Sequence, residues 1–546
     1  MNLTPAALLL LGSIWPTNDP PWSRVEAARF TVYGQTPVRE LSRVAQELEG
    51  LCRAHDTLLA DQVLTSERTT WVFVFPDSAT MAPFLGDLSD VRQRVGGIFR
   101  PSYDANFAII DASMDDDPTP LLFHEWTHAF TSAHLREIPT WLHEGLAEYF
   151  STVRVQGNRA LIGTPPSGAL RILDVGRAMD WREVWAWSTD PLAIHRLNDG
   201  DAELFYAQAW LLTHYLLRGP EHSAERWRRF VSLLRAGADT DAALTAAYEI
   251  EAYTLADRLE VHRSRLRGPI EVALTGSAKA LPAPTVTSSA EIHARLGDLL
   301  LHSGASEDSP AESLLVHAAA LDSTFADGRV ALGTLHLFQG REDAAESEAR
   351  AALRRSPGSA RAWSLLGNAL LVQAARQEDW GAPLPSTPPV LLEAREAFHR
   401  SLALAPDWTD AQFGLAQTFL HDRGENWEGI RAISAFLEER PHRIDALELL
   451  IVLTANSGAL EAAWQRCDAS RITLLDPEQT ARIECHLLAE ELRASIGRQA
   501  SASAFGRRLD ELEGRVFSRD GRALLARLRA DPAPFKTSSA EPPAAR

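Results

Sequence analysis

The stretch HEWTHAFTSAHLREIPTWLHEGLAEYF, residues 124–150, constrains this chain more than any other. His124 and His128 can reach a common point if the backbone between them is helical, because four residues make about one turn. Thr119 and Pro120 supply an N-cap and a first-turn proline, so a helix over 121–131 is expected. Leu121, Leu122, Phe123, Trp126, Ala129 and Phe130 give that helix its apolar surface. With Glu125 between them the two imidazoles form H-E-x-x-H, a pattern of zinc sites. In it the histidines hold the ion, and the glutamate takes a proton from water instead of binding metal.

Such a site needs a third protein ligand, and two residues compete for the place. His134 stands ten positions after His124, the spacing of H-E-x-x-H-x-x-G-x-x-H. Thr131, however, occupies the glycine position, where the chain must turn sharply out of the helix and a β-branched residue resists that backbone. Met179 is the only downstream candidate for the methionine turn that accompanies that pattern. Glu144 follows Pro139 in a second helical stretch whose apolar residues are Trp141, Leu142, Leu146, Tyr149 and Phe150. Glu144 and Glu148 are one turn apart, so one carboxylate can bind zinc while the other accepts a ring N–H from a ligating histidine. These considerations favour Glu144 as ligand and Glu148 as the histidine's partner. His143 projects to another side and reads as a surface or packing residue, and His214 as a packed one.

HEWTH followed by WLHEGLAEYF resembles the gluzincins, especially the peptidase MA-like group related to aminopeptidase N. The resemblance implies a zincin-like α+β domain that hydrolyses peptide bonds with Zn2+, acting on a peptide or protein substrate. Its E-G-x-A phrase maps the third ligand onto Glu144. Its Y-x-[KQ]-[GSA] phrase maps onto Tyr206-Ala207-Gln208-Ala209, which makes Tyr206 the donor to the oxyanion. Two departures stand out. The stretch between His128 and Glu144 is shorter than in aminopeptidase N, and VGGIFRPSYDANFAIID (95–111) lacks the G-x-M-E-N phrase that grips a substrate's α-amine.

Three β-rich runs, 28–34, 69–77 and 105–113, precede the motif, and Pro37 to Leu59 has helical apolar spacing. After Phe150 the chain reads mostly helical, notably over 203–217 and 240–267, an α+β layout for residues 22–267. Residues 268–289, dense in Pro, Ser and Thr, read as a linker. Beyond them Gly333 and Gly367 lie 34 positions apart, each preceded by leucine, with Pro357 and Pro406 closing the units and Leu415-Ala416 opening a third. These residues and that spacing resemble the tetratricopeptide repeat, which implies an all-α solenoid over 290–530 offering a surface to a protein partner. The insertion 378–390 interrupts the second unit, and 531–546 read as a disordered tail.

A chain of 546 residues is too long for one core, which agrees with two domains. Its net charge of −19, without a basic run, excludes a nucleic-acid surface. The three cysteines are odd in number and lack C-x-x-C spacing, so they form neither a disulfide framework nor a metal site. Residues 1–21 carry the apolar core of an export signal but neither its basic start nor its cleavage site, leaving the compartment open. No run reaches the length of a membrane helix, so no transmembrane anchor is expected. The reading from another class is a non-catalytic repeat interaction protein with a vestigial or structural zinc site.

Overall fold

Strand β3, Thr70–Phe75, reads TWVFVF, and all six of its residues are buried. A strand apolar on both sides needs cover on both sides, and that requirement organises the first of two units, which ends at Ser323. The computed structural model describes residues 21–59, 70–85, 97–102, 105–113, 119–135, 138–175, 180–186, 199–266, 268–276, 280–303, 310–377, 387–420, 422, 426–440, 443–470, 483–484 and 486–487. The export-signal core, Met179, the 378–386 part of the insertion and the tail lie outside them.

The main sheet runs β4-β5-β3-β2-β1-β9. Its strands are β1 (Ser23–Glu26), β2 (Phe30–Gly34), β3, β4 (Gly97–Pro101), β5 (Asn106–Asp111) and β9 (Thr285–Val286). β2, β3 and β5 are parallel, whereas β4, β1 and β9 join antiparallel. On one face Val32, Val72, Val74, Ala108 and Ile110 meet α1 (Val38–Leu59) and the first helix of the motif, α3 (Thr119–His134), on which the second, α4 (Thr140–Ser151), packs. A short helix, α2 (Ser78–Met81), follows β3. Side chains alternate across a strand, so Tyr33, Trp71, Phe73, Phe75, Phe107 and Ile109 point the other way. Ile292, Leu296, Leu299 and Leu300 of α11 (Ser289–Leu301) and Leu314 of α12 (Ala311–Leu321) cover them.

Between the motif helices and that cover come β6 (Arg154–Gln156), β7 (Arg159–Ile162), α5 (Ala169–Val175), α6 (Trp181–Ala186), α7 (Asp199–Arg218), α8 (Ala224–Arg235), α9 (Thr240–Tyr248), α10 (Ala252–Ser264) and β8 (Ile270–Ala273). The expected single helical stretch over 240–267 is two helices, broken at Glu249, which takes the left-handed conformation (φ 58°).

The linker expected at 268–289 is instead integral to this unit. β8 pairs with β7, β9 pairs with β1, and Arg53 donates to the Gly276 carbonyl. Five of the six residues in β8 and β9 are exposed, so these strands are held by backbone hydrogen bonds and carry no apolar pattern to betray them. The first expected repeat, from residue 290, likewise belongs to the sheet's cover. A buried cluster fastens it: Tyr33 Oη donates to Glu291 at 2.9 Å, Arg24 also pairs with Glu291, and the Arg295 guanidinium lies 4.1 Å over the Trp71 ring.

Among the described residues the second unit, from Thr324, contains helix pairs α13 (Ala326–Phe338) with α14 (Glu342–Arg355), α15 (Ala360–Gln377) with α16 (Pro389–Leu404), α17 (Thr409–Gln417) with α18 (Trp427–Glu439), and α19 (Ile444–Asn456) with α20 (Leu460–Ser470). Phe398 of α16 is fully buried between two of these pairs. A methyl group on Gly367 would come within 2.6 Å of its ring, and one on Gly414 within 2.3 Å. Small residues at these positions let the helices close on a large one, which is the packing of a tetratricopeptide-type array. No helix among the described residues is long and apolar enough to cross a membrane.

A fragment ending at Arg267 should lose β9, α11 and α12 and expose Phe73, Phe75 and Phe107, whereas one ending at Ser323 keeps them covered. Thermal melts followed by circular dichroism should show a cooperative transition for the longer fragment alone. Equal transitions would contradict this boundary.

Candidate metal centre

Helices α3 and α4 bring together the three residues singled out as ligands. The Nε2 atoms of His124 and His128 lie 3.1 Å apart, and Glu144 Oε2 is 3.4 Å from the first and 3.3 Å from the second. Zinc bonds of about 2.0–2.2 Å at tetrahedral angles would place neighbouring ligand atoms about 3.3–3.6 Å apart. The observed triangle is close to that size. Among the described residues no other group of three or more His, Cys, Asp or Glu side chains converges in this way.

The donor set also has the chemistry of a cation site. Glu144 Oε2 is buried and makes no hydrogen bond of acceptable geometry, an arrangement costly for a carboxylate with nothing else to bind. Glu148 Oε1 stands 3.3 Å from His124 Nδ1, which directs the other ring nitrogen, Nε2, at the cluster. Burial works against charge on both partners, yet the two carboxylates raise His124 well above the usual histidine range. Burial likewise opposes ionisation of Glu144, but the imidazoles of His128 and His124 hold its carboxyl well below the usual range. Two imidazoles and a carboxylate held this way fit a divalent zinc ion.

His134 closes α3. The helix continues unbroken through Thr131, whose carbonyl accepts from the Leu135 N–H at 2.8 Å, so there is no turn of the kind the His134 arrangement needs. Thr131 is fully buried and its Oγ1 lies 2.9 Å from His143 Nδ1. His143 thus packs as expected, but with a specific partner: it ties α4 to α3 beside Glu144. Burial, together with the nearby His128, lowers its pKa to about 4 and keeps the ring neutral.

Gly145, next to Glu144, is where α4 meets α7. A methyl group there would come within 2.2 Å of Thr213 Oγ1 and 2.5 Å of the Ala209 carbonyl oxygen. Only glycine permits the contact, and α7 carries Tyr206, whose ring centroid lies 6.3 Å from that of His124. Burial, reinforced by the charges of Glu144, Glu148 and Glu125, pushes the Tyr206 phenol far above its ordinary pKa. Glu125 is buried at 8% exposure beneath Gly97 of β4. Desolvation raises its carboxyl pKa, partly offset by the two imidazoles. His214 lies in a separate group, its Nδ1 2.9 Å from His262 Nε2, and burial lowers its pKa to about 4.

Glu125, Glu148 and Tyr206 therefore lie around the cluster of His124, His128 and Glu144. The Thr131–His143 bond and the role of Gly145 were missed from sequence. The adjacent phrases T-S-A-H and H-E-G hold the only signal, since neither shows its partner.

No family model matches the chain, and no curated protein matches it. Among solved structures it is similar to YrrB, a tetratricopeptide-repeat protein with an unusual peptide-binding site, at 19% identity and a TM-score of 0.28, over 35% of this chain and 90% of that one. A tetratricopeptide-repeat protein from Parabacteroides merdae matches at 13% identity and a TM-score of 0.28, over 55% of this chain and 96% of that one. TTC0263, from Thermus thermophilus, matches at 16% identity and a TM-score of 0.29, over 36% of this chain and 99% of that one. Scores this low carry no fold by themselves; the repeat character rests on the helix packing around Phe398.

Replacing Glu144 with alanine should remove most bound zinc, because a three-residue site cannot spare a ligand, whereas His134→Ala should stay stoichiometric. Elemental analysis of the two purified variants checks this, and the reverse pattern would contradict the assignment. Gly145→Ala should lower the melting temperature, through the α4–α7 clash, by the equivalent of about 1–3 kcal/mol.

Proposed function

We propose that the first unit is a zinc-dependent hydrolase of peptide bonds. The observation that carries this reading is the convergence of His124, His128 and the hydrogen-bond-free Glu144 Oε2 on one point. A zinc ion held by these three residues would supply Lewis acidity to polarise a carbonyl and acidify water.

The remaining steps fall to the chain's own groups. Glu125, buried and with its pKa raised, is suited to take a proton from the attacking water and return it to the leaving amine. Tyr206, kept protonated by burial and three neighbouring carboxyls, is suited to donate to the oxygen on which negative charge develops. Strand β4 ends the sheet order, with no further neighbour among the described residues, and packs beside α3 over Glu125. The departures noted in sequence leave no residue assigned to gripping a terminal amine, so this reading extends to peptide hydrolysis and not to an aminopeptidase.

The helical array supports binding of a protein or peptide through its repeats, and it is also what favours the second reading, a non-catalytic interaction protein whose zinc site is structural or vestigial. Glu125→Gln separates the two. The variant keeps size and hydrogen bonding but cannot act as a base, so zinc should remain while cleavage of a peptide mixture falls at least ~100-fold. Tyr206→Phe should cost about 3 kcal/mol in the transition state. A wild-type protein that holds zinc but shows no Glu125-dependent cleavage supports the interaction reading instead.

A further inference from the structure

Away from the metal centre, His214 of α7 meets His262 of α10, with Nδ1 of the first 2.9 Å from Nε2 of the second. A bond between two ring nitrogens needs a hydrogen on one and a lone pair on the other, and the surroundings decide which. His214 Nε2 lies against Gly163, whose backbone carbonyl accepts from the ring. That nitrogen therefore carries the His214 hydrogen, so Nδ1 is the acceptor and His262 Nε2–H the donor. The pair can share one added proton, because an imidazolium can donate to a neutral ring. It cannot hold two, because both facing nitrogens would then carry hydrogens and neither could accept.

The surroundings make the second proton costly. His214 is buried against the rings of Trp210 and of Tyr149 on α4. The other titratable or charged groups beside the pair are Arg218 and Tyr215 of α7 and Glu221. Glu221 already accepts from Tyr215 Oη and from Arg258 Nη1 of α10, each at 2.8 Å. Burial, then His262 and Arg218, lowers the pKa of His214 to about 4, and burial lowers that of His262 against the pull of Glu221. A ring freed from the fold takes its proton near 6.5, so closure is favoured above about pH 6.5 and is lost as pH falls toward 4.

The helix held by this bond has little else to hold it. α10 rests on α7, yet of its residues Leu255 and Leu259 alone are buried. Its partly exposed ion pairs, Arg258 with Glu221 and Arg263 with Asp174, add little. We infer that the His214–His262 bond is a latch that holds α10 to α7 at neutral pH and releases it in acid. It uses none of the proposed metal ligands, so it stands or falls independently of the hydrolase reading.

Hydrogen–deuterium exchange of the full-length protein at pH 7 and at about pH 4.5, corrected for the intrinsic pH dependence of exchange, tests this. Backbone amides of α10 should exchange at least about tenfold faster in acid, while those of β3 keep their protection. A glutamine amide can donate or accept without taking a proton, so His214→Gln and His262→Gln should each flatten that response. His262 is only half-buried, so its variant reads the latch even where the buried His214 variant does not fold. An α10 whose protection does not change with pH, a His262→Gln variant that opens like the wild type, or loss of β3 protection together with that of α10 would overturn the inference.

Discussion

Glu144 Oε2 is a buried anionic oxygen within 3.4 Å of two imidazole nitrogens, and much of the first unit serves to hold it there. A buried carboxylate is tolerated only where positive charge or hydrogen bonds meet it. Here both imidazoles come from one helix and the carboxylate from the next, so the register of α4 on α3 sets the triangle. Thr131 and His143 fix that register from one side, and the Gly145 contact with Ala209 and Thr213 fixes it from the other. The second contact also brings Tyr206 up to the cluster.

The sheet beneath these helices is covered on both faces. α1 and α3 occupy one face, and α11 and α12 occupy the other, reached by way of β8 and β9. This explains why a segment that reads as the start of the repeats is part of the first unit. Helix pairs bury their faces on whatever apolar surface is adjacent, and for residues 289–321 that surface is Phe73, Phe75 and Phe107, not another repeat.

The strongly patterned parts of the fold were legible in sequence. The runs at 28–34, 69–77 and 105–113 contain β2, β3 and β5, and the expected motif helix 121–131 lies within α3. These elements carry dense apolar patterns. β4, β8 and β9 escaped because edge strands are paired by backbone groups, which leave little trace in side chains, and β1, inside the sheet beside β9, because it is only four residues long. At the site, the i, i+4 spacings of His124 with His128 and of Glu144 with Glu148 were readable because helix geometry alone places them on common faces. The crossings were not: nothing in the phrase T-S-A-H shows that Thr131 faces His143, and only the packed helices show that Gly145 has no room for a methyl.

X-ray absorption at the zinc edge, on full-length protein loaded with zinc, tests the central claim most directly. The account predicts a first shell of nitrogen and oxygen at about 2.0–2.2 Å, with outer-shell scattering from two imidazoles and none from sulfur. A sulfur shell, a single imidazole, or a protein that retains no zinc would contradict it.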